Sequence, residues 1–146
     1  MRKLCMSVMV LVAICCSGCS SGLVGTLPVV NDVNDASEIY IIRGYNYVSS
    51  GVSAYVSFDD KDVLAIRTVE HTKFTAPSGK HTLGVRNPGL PTNNIAISLT
   101  PKNRYYFRVS VGVNFSLVPM PEEEALTYLS TTHYVPLAKD EKSSPP

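Results

Sequence analysis

From Glu38 onward the chain repeatedly alternates apolar and polar side chains with a period of two, the spacing of a strand with one face buried. Ala54, Val56 and Phe58 alternate with Tyr55 and Ser57. His81, Leu83 and Val85 alternate with Thr82, Gly84 and Arg86, and Ile95, Ile97 and Leu99 form a further set. In Glu38 to Arg43 the pair Ile39 and Ile41 opposes Tyr40 and Ile42, which predicts a strand covered on both faces. The longest alternation runs from Tyr105 to Phe115. It sets Tyr105, Phe107, Val109, Val111, Val113 and Phe115 on an inward face against Tyr106, Arg108, Ser110, Gly112 and Asn114, with Gly112 as a bend or bulge. Asp59-Asp60-Lys61-Asp62 predicts a hairpin turn into Val63 to Thr68, and Asn87-Pro88-Gly89, Pro91 and Pro101-Lys102-Asn103 break the chain between later strands. Turns recurring about every eight to twelve residues predict a sandwich or barrel. The expected fold is all-β: a single antiparallel β-sandwich of about seven strands with one short C-terminal helix.

That helix is predicted at Pro121, whose ring suits a first turn, with Glu122, Glu123 and Glu124 at the positive end of the helix dipole. Ala125, Leu126 and Leu129 offer a short apolar face to dock on the sheet. Thirteen Lys and Arg stand against twelve Asp and Glu, for a formal charge of +1, so no basic field supports nucleic-acid binding. Composition divides the chain into a leader at 1–18, a Ser/Gly/Pro/Asn-rich tether at 19–36, the sandwich at 37–137 and a Pro/Ser-rich disordered tail at 138–146.

All four cysteines, Cys5, Cys15, Cys16 and Cys19, lie within the first nineteen residues. Around them Arg2 and Lys3 precede an apolar run from Leu4 to Cys16, short of the roughly twenty residues a spanning helix needs. A basic start, a short apolar core and small residues at the exit form the pattern of a cleaved signal peptide. Ser17-Gly18-Cys19 resembles the lipobox of bacterial lipoproteins. The resemblance implies a diacylglycerol on the Cys19 thiol, cleavage just before it, and anchoring of the domain to a membrane through these acyl chains. Ser20 and Ser21 follow in place of the Asp that retains such proteins at the inner membrane, so the implied address is the outer membrane facing the periplasm in a Gram-negative cell. A plain secreted protein cut near Gly18 is the alternative. Either way the folded domain contains no cysteine and must be held by packing alone.

The stretch from Ala54 to Val85, with Ala76-Pro77-Ser78-Gly79-Lys80-His81-Thr82-Leu83 at its end, resembles the PEGA-type and carboxypeptidase-regulatory-like β-sandwich modules of bacterial envelope proteins. It is similar in particular to a family of small lipoproteins catalogued as a domain of unknown function. In those proteins a proline-glycine turn and a His-Thr-Leu-like strand close a hairpin over the core. The likeness implies a fold and an address, and no established activity.

Motifs for chemistry are weak. Gly18-Cys19-Ser20-Ser21-Gly22, the one Gly-x-Ser-x-Gly match, straddles the cleavage point and lacks a strand-turn-helix context. Gly79-Lys80 lacks the earlier glycine of a phosphate loop. His71, His81 and His133 lack the short paired spacing of zinc sites, and Asp59, Asp60 and Asp62 lack the ligand array of a calcium loop. The expectation is therefore no catalytic residue, no metal and no cofactor. Surface recognition remains, with Tyr45 and Tyr47 in the Gly44–Gly51 loop and Tyr106 with Arg108 on the outward face of the long strand as candidate binding residues, because Tyr and Arg dominate interface hot spots. The expected protein is a non-catalytic envelope lipoprotein of interaction or structural role with an envelope protein as partner. A module binding cell-wall glycan or a small molecule, and a secretion-system accessory lipoprotein, are the alternatives.

Overall fold

The computed structural model describes residues 21–137, so the leader, Cys19 and the tail at 138–146 lie outside the described residues. The chain forms β1 (Gly22–Leu23), a 3-10 turn (Val33–Asp35), β2 (Ala36–Arg43), β3 (Ala54–Phe58), β4 (Lys61–Ile66), β5 (Glu70–Pro77), β6 (Gly79–Arg86), β7 (Asn93–Leu99), β8 (Arg104–Val111), β9 (Phe115–Met120), α1 (Glu122–Thr131) and β10 (His133–Tyr134). Two five-stranded sheets face each other, one in the order β1-β4-β3-β6-β7 and the other β10-β5-β2-β8-β9. The all-β sandwich with one short helix is thus the observed fold. Eight strands of five residues or more replace the expected seven. The second sheet is mixed, since β2 runs parallel to β8 and β10 parallel to β5.

The inward set of each strand makes the core. Ile39 and Ile41 of β2, Phe74 and Ala76 of β5, and Phe107 and Val109 of β8 meet Val56 and Phe58 of β3, Leu64 and Ile66 of β4, and Leu83 and Val85 of β6. The Asp-rich turn closes on Asp59 and Asp60, at φ 47° and 64°, the two left-handed positions that match the twist of a tight hairpin and that Asp tolerates. Gly79 takes φ 118°, a conformation that glycine adopts without a Cβ clash. The turn it makes is not a hairpin, however. β5 and β6 lie in different sheets, so Pro77–Gly79 is a corner where the chain crosses the sandwich, with the Ser78 amide donating to the Asp35 carbonyl at 2.9 Å.

The long strand expected from Tyr105 to Phe115 is two strands. Gly112, Val113 and Asn114 reverse the chain, and β9 returns antiparallel with Val111 opposite Phe115 and Val109 opposite Leu117. Opposed residues point to the same face, so a three-residue turn leaves the alternation in phase and the inward set runs through it unbroken. Val113, expected inward, sits at the tip and is 98% exposed. The Asn114 side chain replaces the missing ladder, accepting from the amides of Phe115 and Asn87 and donating to the Pro91 carbonyl.

From β9, α1 crosses the outer face of the second sheet to deliver β10 to the far edge. Pro121 is its N-cap with extended backbone, not its first helical residue, and Leu126, expected in the apolar face, is exposed. Ala125 docks with Ile42, Tyr106 and Met120 in a second small core, joined by Tyr40, Tyr128 and Leu129. β2 is therefore covered on both faces, as its composition predicts.

The expected tether is laid onto the fold from Ser21 onward. Gly22 and Leu23 pair with Ala65 and Leu64 of β4, and the Ser21 hydroxyl donates to Glu70 Oε1 at 2.9 Å. At Gly25 the strand edge is approached so closely that a Cβ would collide with the Asp62 carbonyl. Successive strands alternate in direction, so the reversals fall by turns at the two ends of the sandwich. Loops 44–53 and 87–92, the turns 67–69 and 112–114, and Ser21 gather at one, the Tyr45 end. The Asp59–Asp60 turn, the corner at Ser78, the turn 100–103, the 3-10 turn and the start of α1 gather at the other, the Asp59 end.

The hairpin makes a direct prediction. Val109→Asp buries a carboxylate without a partner and should cost several kcal/mol, while Val113→Asp should change stability by less than about 0.5 kcal/mol. Thermal melts of the two variants check it, and equal damage at both positions would restore the single long strand.

Candidate recognition surface

β2 ends in a fully buried arginine. Arg43 has no exposed surface, and its guanidinium donates from Nη1 to the carbonyls of Val52 (2.6 Å) and Ile66 (3.0 Å), and from Nη2 to the carbonyl (2.8 Å) and hydroxyl (3.1 Å) of Ser49. Phe115, at the start of β9 in the same sheet, lies under it, 4.7 Å from the guanidinium carbon to the ring centre. Burial pushes the Arg43 pKa down and the charge of Glu70, its cross-strand neighbour, pushes it back up. An arginine stays charged under such pressure, so its donors must be matched. The carbonyls of Ser49 and Val52 in loop 44–53, with that of Ile66, match the two terminal nitrogens and leave Nε alone without a partner among the described residues, so the loop wraps around the charge. Sequence reasoning missed Arg43. The signal was a cation at the inward end of a doubly covered apolar strand.

This clamp sets the two loop tyrosines. Tyr45 and Tyr47 project into solvent from a backbone pinned at Ser49 and Val52. Beside them β8 continues past the end of β2, and the step between the two strands is a notch of about 180 Å³ lined by Gly44, Tyr45, Asn46, Arg108, Ser110 and Tyr128. Gly44 leaves room there for the Tyr128 ring, which a Cβ would meet at 3.2 Å and displace by a few tenths of an ångström. The notch is smaller than the roughly 300–1,000 Å³ of sites that enclose a drug-sized ligand, so it suits one group of a larger ligand. Tyr55, which with Tyr45 and Tyr47 would make the aromatic cluster a glycan-binding module needs, lies instead on the outer face of the first sheet, where Arg86 covers its ring at 4.7 Å and bonds Asp62 at 2.7 Å. Among the described residues no ring contact joins the three.

Tyr106 and Arg108 do not form the open face expected of them. Tyr106 is buried beneath α1, its ring stacked on Tyr40 at 4.8 Å and its hydroxyl donating to Glu122 Oε1 at 2.9 Å. Burial first, and then the Glu122 carboxylate, push its pKa up. Arg108 is half-buried, with its guanidinium carbon 5.7 Å from the centre of the Tyr128 ring. Its one hydrogen bond among the described residues is a long 3.5 Å contact from Nη1 to the Tyr128 hydroxyl, and its Nε is buried without a partner. The structure thus separates Tyr106 from the other candidates and brings Arg108 together with Tyr45, adding Tyr128 and Asn46 from elements the sequence did not connect.

Two of the three histidines, His71 and His81, are tied into the fold by ring hydrogen bonds, and His133 is exposed. His81 tilts against Phe58 with Nδ1 2.8 Å from Asp59 and Nε2 3.0 Å from the Pro77 carbonyl, a packed histidine with local bonds. His71 Nδ1 meets the Thr132 hydroxyl at 2.8 Å, and that hydroxyl donates to the Tyr128 carbonyl, so the imidazole is the donor. β10 brings His133 to the strand neighbouring His71, a proximity the sequence spacing did not suggest. Burial lowers the His71 pKa and His133 lowers it further, against the bond to Thr132. Among the described residues no group of three or more His, Cys, Asp or Glu side chains is placed to hold a metal. A cleft of about 300 Å³ lies between the segment from Thr26 to Val29 and the β3–β4 hairpin, walled mainly by Leu27, Pro28, Phe58 and Val63. The surface can bind, through one cation, two phenols and an amide; no histidine lines the notch beside Ser110.

Two outcomes follow from this chemistry. Arg43→Met should strand the Ser49, Val52 and Ile66 carbonyls, at about 1.5–3 kcal/mol for each bond to the charge that is lost, and should release loop 44–53 to fast amide exchange. Unchanged protection at Ser49 to Val52 would contradict the clamp. Burial opposes ionisation of Asp59, yet the Thr82 amide and His81 more than offset it and hold its pKa below the ordinary 3.8. A depressed carboxylate stabilises the fold above its unfolded value and loses that contribution as pH falls through the folded one. The melting difference between wild type and Asp59→Asn should therefore be constant above about pH 5 and shrink below pH 3.8, and a difference independent of pH would rule the linkage out.

No protein-family model, no curated protein and no solved structure matches the chain.

Proposed function

We propose that the chain is an exported lipoprotein, acylated on Cys19 and anchored to a membrane of the cell envelope, whose β-sandwich acts through contacts with protein partners or envelope components and performs no catalysis. The observation that carries this reading is the run of small residues Ser17-Gly18-Cys19 at the exit of a short apolar segment, followed three residues later by the first strand of a domain that has no cysteine. Two or three acyl chains give lasting attachment, where a single chain does not. The PEGA-like and carboxypeptidase-regulatory-like resemblance belongs to the same proposal. So does an outer-membrane, periplasm-facing address in a Gram-negative cell.

The engaged His71 and His81 support a role without chemistry, and the loop carrying Tyr45 and Tyr47, anchored on Arg43, supports one in recognition. A second reading, a ligand-binding module, is favoured by the notch in which Arg108 has no carboxylate partner among the described residues. Cys19→Ser should abolish incorporation of a fatty-acid analogue and release the protein from the membrane fraction. Label that persists on this variant would move the site or end the lipoprotein reading.

A further inference from the structure

The proposed lipid site lies two residues before Ser21, and Ser21 is not free to wander. Its hydroxyl bonds Glu70 and its neighbours Gly22 and Leu23 are paired with β4, which fixes it at the Tyr45 end. Two residues of extended chain reach about 7 Å. An acylated Cys19 would therefore hold the Tyr45 end against the lipid headgroups, with no tether to lift it.

The composition of the two ends agrees with this placement. The Tyr45 end is built from loops 44–53 and 87–92 and turns 67–69 and 112–114, and across all four the one charged side chain is Arg67. It exposes Tyr45 (73%), Tyr47 (82%), Val48 (90%) and Val113 (98%). One carboxylate, Glu70, lies at this end and is bonded to the Ser21 hydroxyl and the Arg67 amide, while the loop tips themselves are aliphatic and tyrosine, the composition of an interface anchor, because the apolar ring body enters the headgroup layer while the hydroxyl stays hydrated. A lone cation there is attracted to anionic lipid. The Asp59 end is opposite in character. Asp32, Asp35, Asp59, Asp60 and the Glu122–Glu124 run outnumber Lys61, Lys80, Lys102 and Arg104 there, an acidic excess which an anionic surface would repel.

We infer that the Tyr45 end sits directly on the lipid surface, with Tyr47, Val48 and Val113 in the headgroup region and the acidic Asp59 end pointing away. The inference rests on the acylation of Cys19 proposed above. The Arg43 clamp then has a further role, since it keeps the exposed loop in one shape for the membrane to receive. The notch between Tyr45 and Arg108 opens beside the bilayer, within reach of lipid headgroups.

The chain contains no tryptophan, so single Trp substitutions report one position each. Val48→Trp and Val33→Trp replace exposed valines at opposite ends. Each is prepared as the acylated full-length product, with the fatty-acid label on Cys19 confirmed, in vesicles of phosphatidylethanolamine and phosphatidylglycerol containing brominated acyl chains. Expected is an emission blue shift and a fluorescence loss of about two-fold or more for Val48→Trp, with Val33→Trp unquenched, since interfacial side chains lie within reach of the acyl bromines. Labelled protein with both positions unquenched would overturn the end-on placement and leave the anchor standing. Quenching at both would overturn it in favour of a domain lying on its side. Absence of label on Cys19 would remove the anchoring reading itself. Tyr47→Glu with Val48→Glu, both exposed and safe for the fold, should keep the label and abolish quenching of a Val113→Trp reporter, and a reporter quenched as strongly as before would contradict insertion of the loop.

Discussion

A single buried charge organises one end of this sandwich. The Arg43 guanidinium has no surface and no ion-pair partner among the described residues, so its enthalpy comes from carbonyl oxygens and an aromatic face. Those partners belong to loop 44–53, to the end of β4 and to β9, which means that the charge joins both sheets at the point where β2 leaves its ladder. An unmatched charge in that position is far costlier than an unmatched dipole, and the loop has correspondingly little freedom to rearrange. The exposure of Tyr45, Tyr47 and Val48 is a consequence: the inward surface of the loop is occupied by binding the charge, leaving these side chains outside.

The same strand explains the other face. β2 carries Ile42 and Tyr40 outward, and α1 is drawn across the sheet to cover them, taking Tyr106 with it. Tyr106 keeps its hydroxyl satisfied by bonding the first turn of α1 at Glu122, so a residue with the profile of a recognition tyrosine serves packing. Around it Glu38 receives Lys73 at 3.0 Å and Arg104 at 3.1 Å, tying three adjacent strands. Both pairs are solvent-exposed and contribute little individually, although Lys73 chiefly, against the cost of partial burial, holds the Glu38 pKa below its ordinary range.

The two ends of the sandwich differ in charge. Successive strands run in opposite directions, so the reversals alternate between the two ends, and 44–53, 67–69, 87–92 and 112–114 fall on one side. That side is nearly free of charge, and the chain enters the fold there through Ser21. Apolar exposure of this kind is a liability for a soluble protein and an asset beside a lipid surface.

Period-two alternation was enough to place β3, β6 and β7, and the composition of Glu38 to Arg43 was enough to show two covered faces, because both properties are written in neighbouring residues. So were the turns at Asp59–Asp60 and Pro101–Asn103, where few residue types tolerate the required φ. β5 escaped because its inward residues Thr72 and Ala76 contrast weakly with Lys73 and Thr75 in polarity. The hairpin at Val113 escaped for a different reason: a three-residue turn preserves parity, and the pattern alone cannot distinguish a continued strand from a returning one. The candidate tyrosines 45 and 47 were legible as exposed loop residues. That Tyr106 is covered, that Arg108 joins Tyr45 and Tyr128, that His133 reaches His71, and that the supposed tether is strapped to β4 depend on which sheets and ends the strands join. Strand identity was decided locally, by alternation and turn chemistry. The faces that stay open were decided by tertiary pairing, since burial on a sheet depends on what crosses it and not on the strand's own residues.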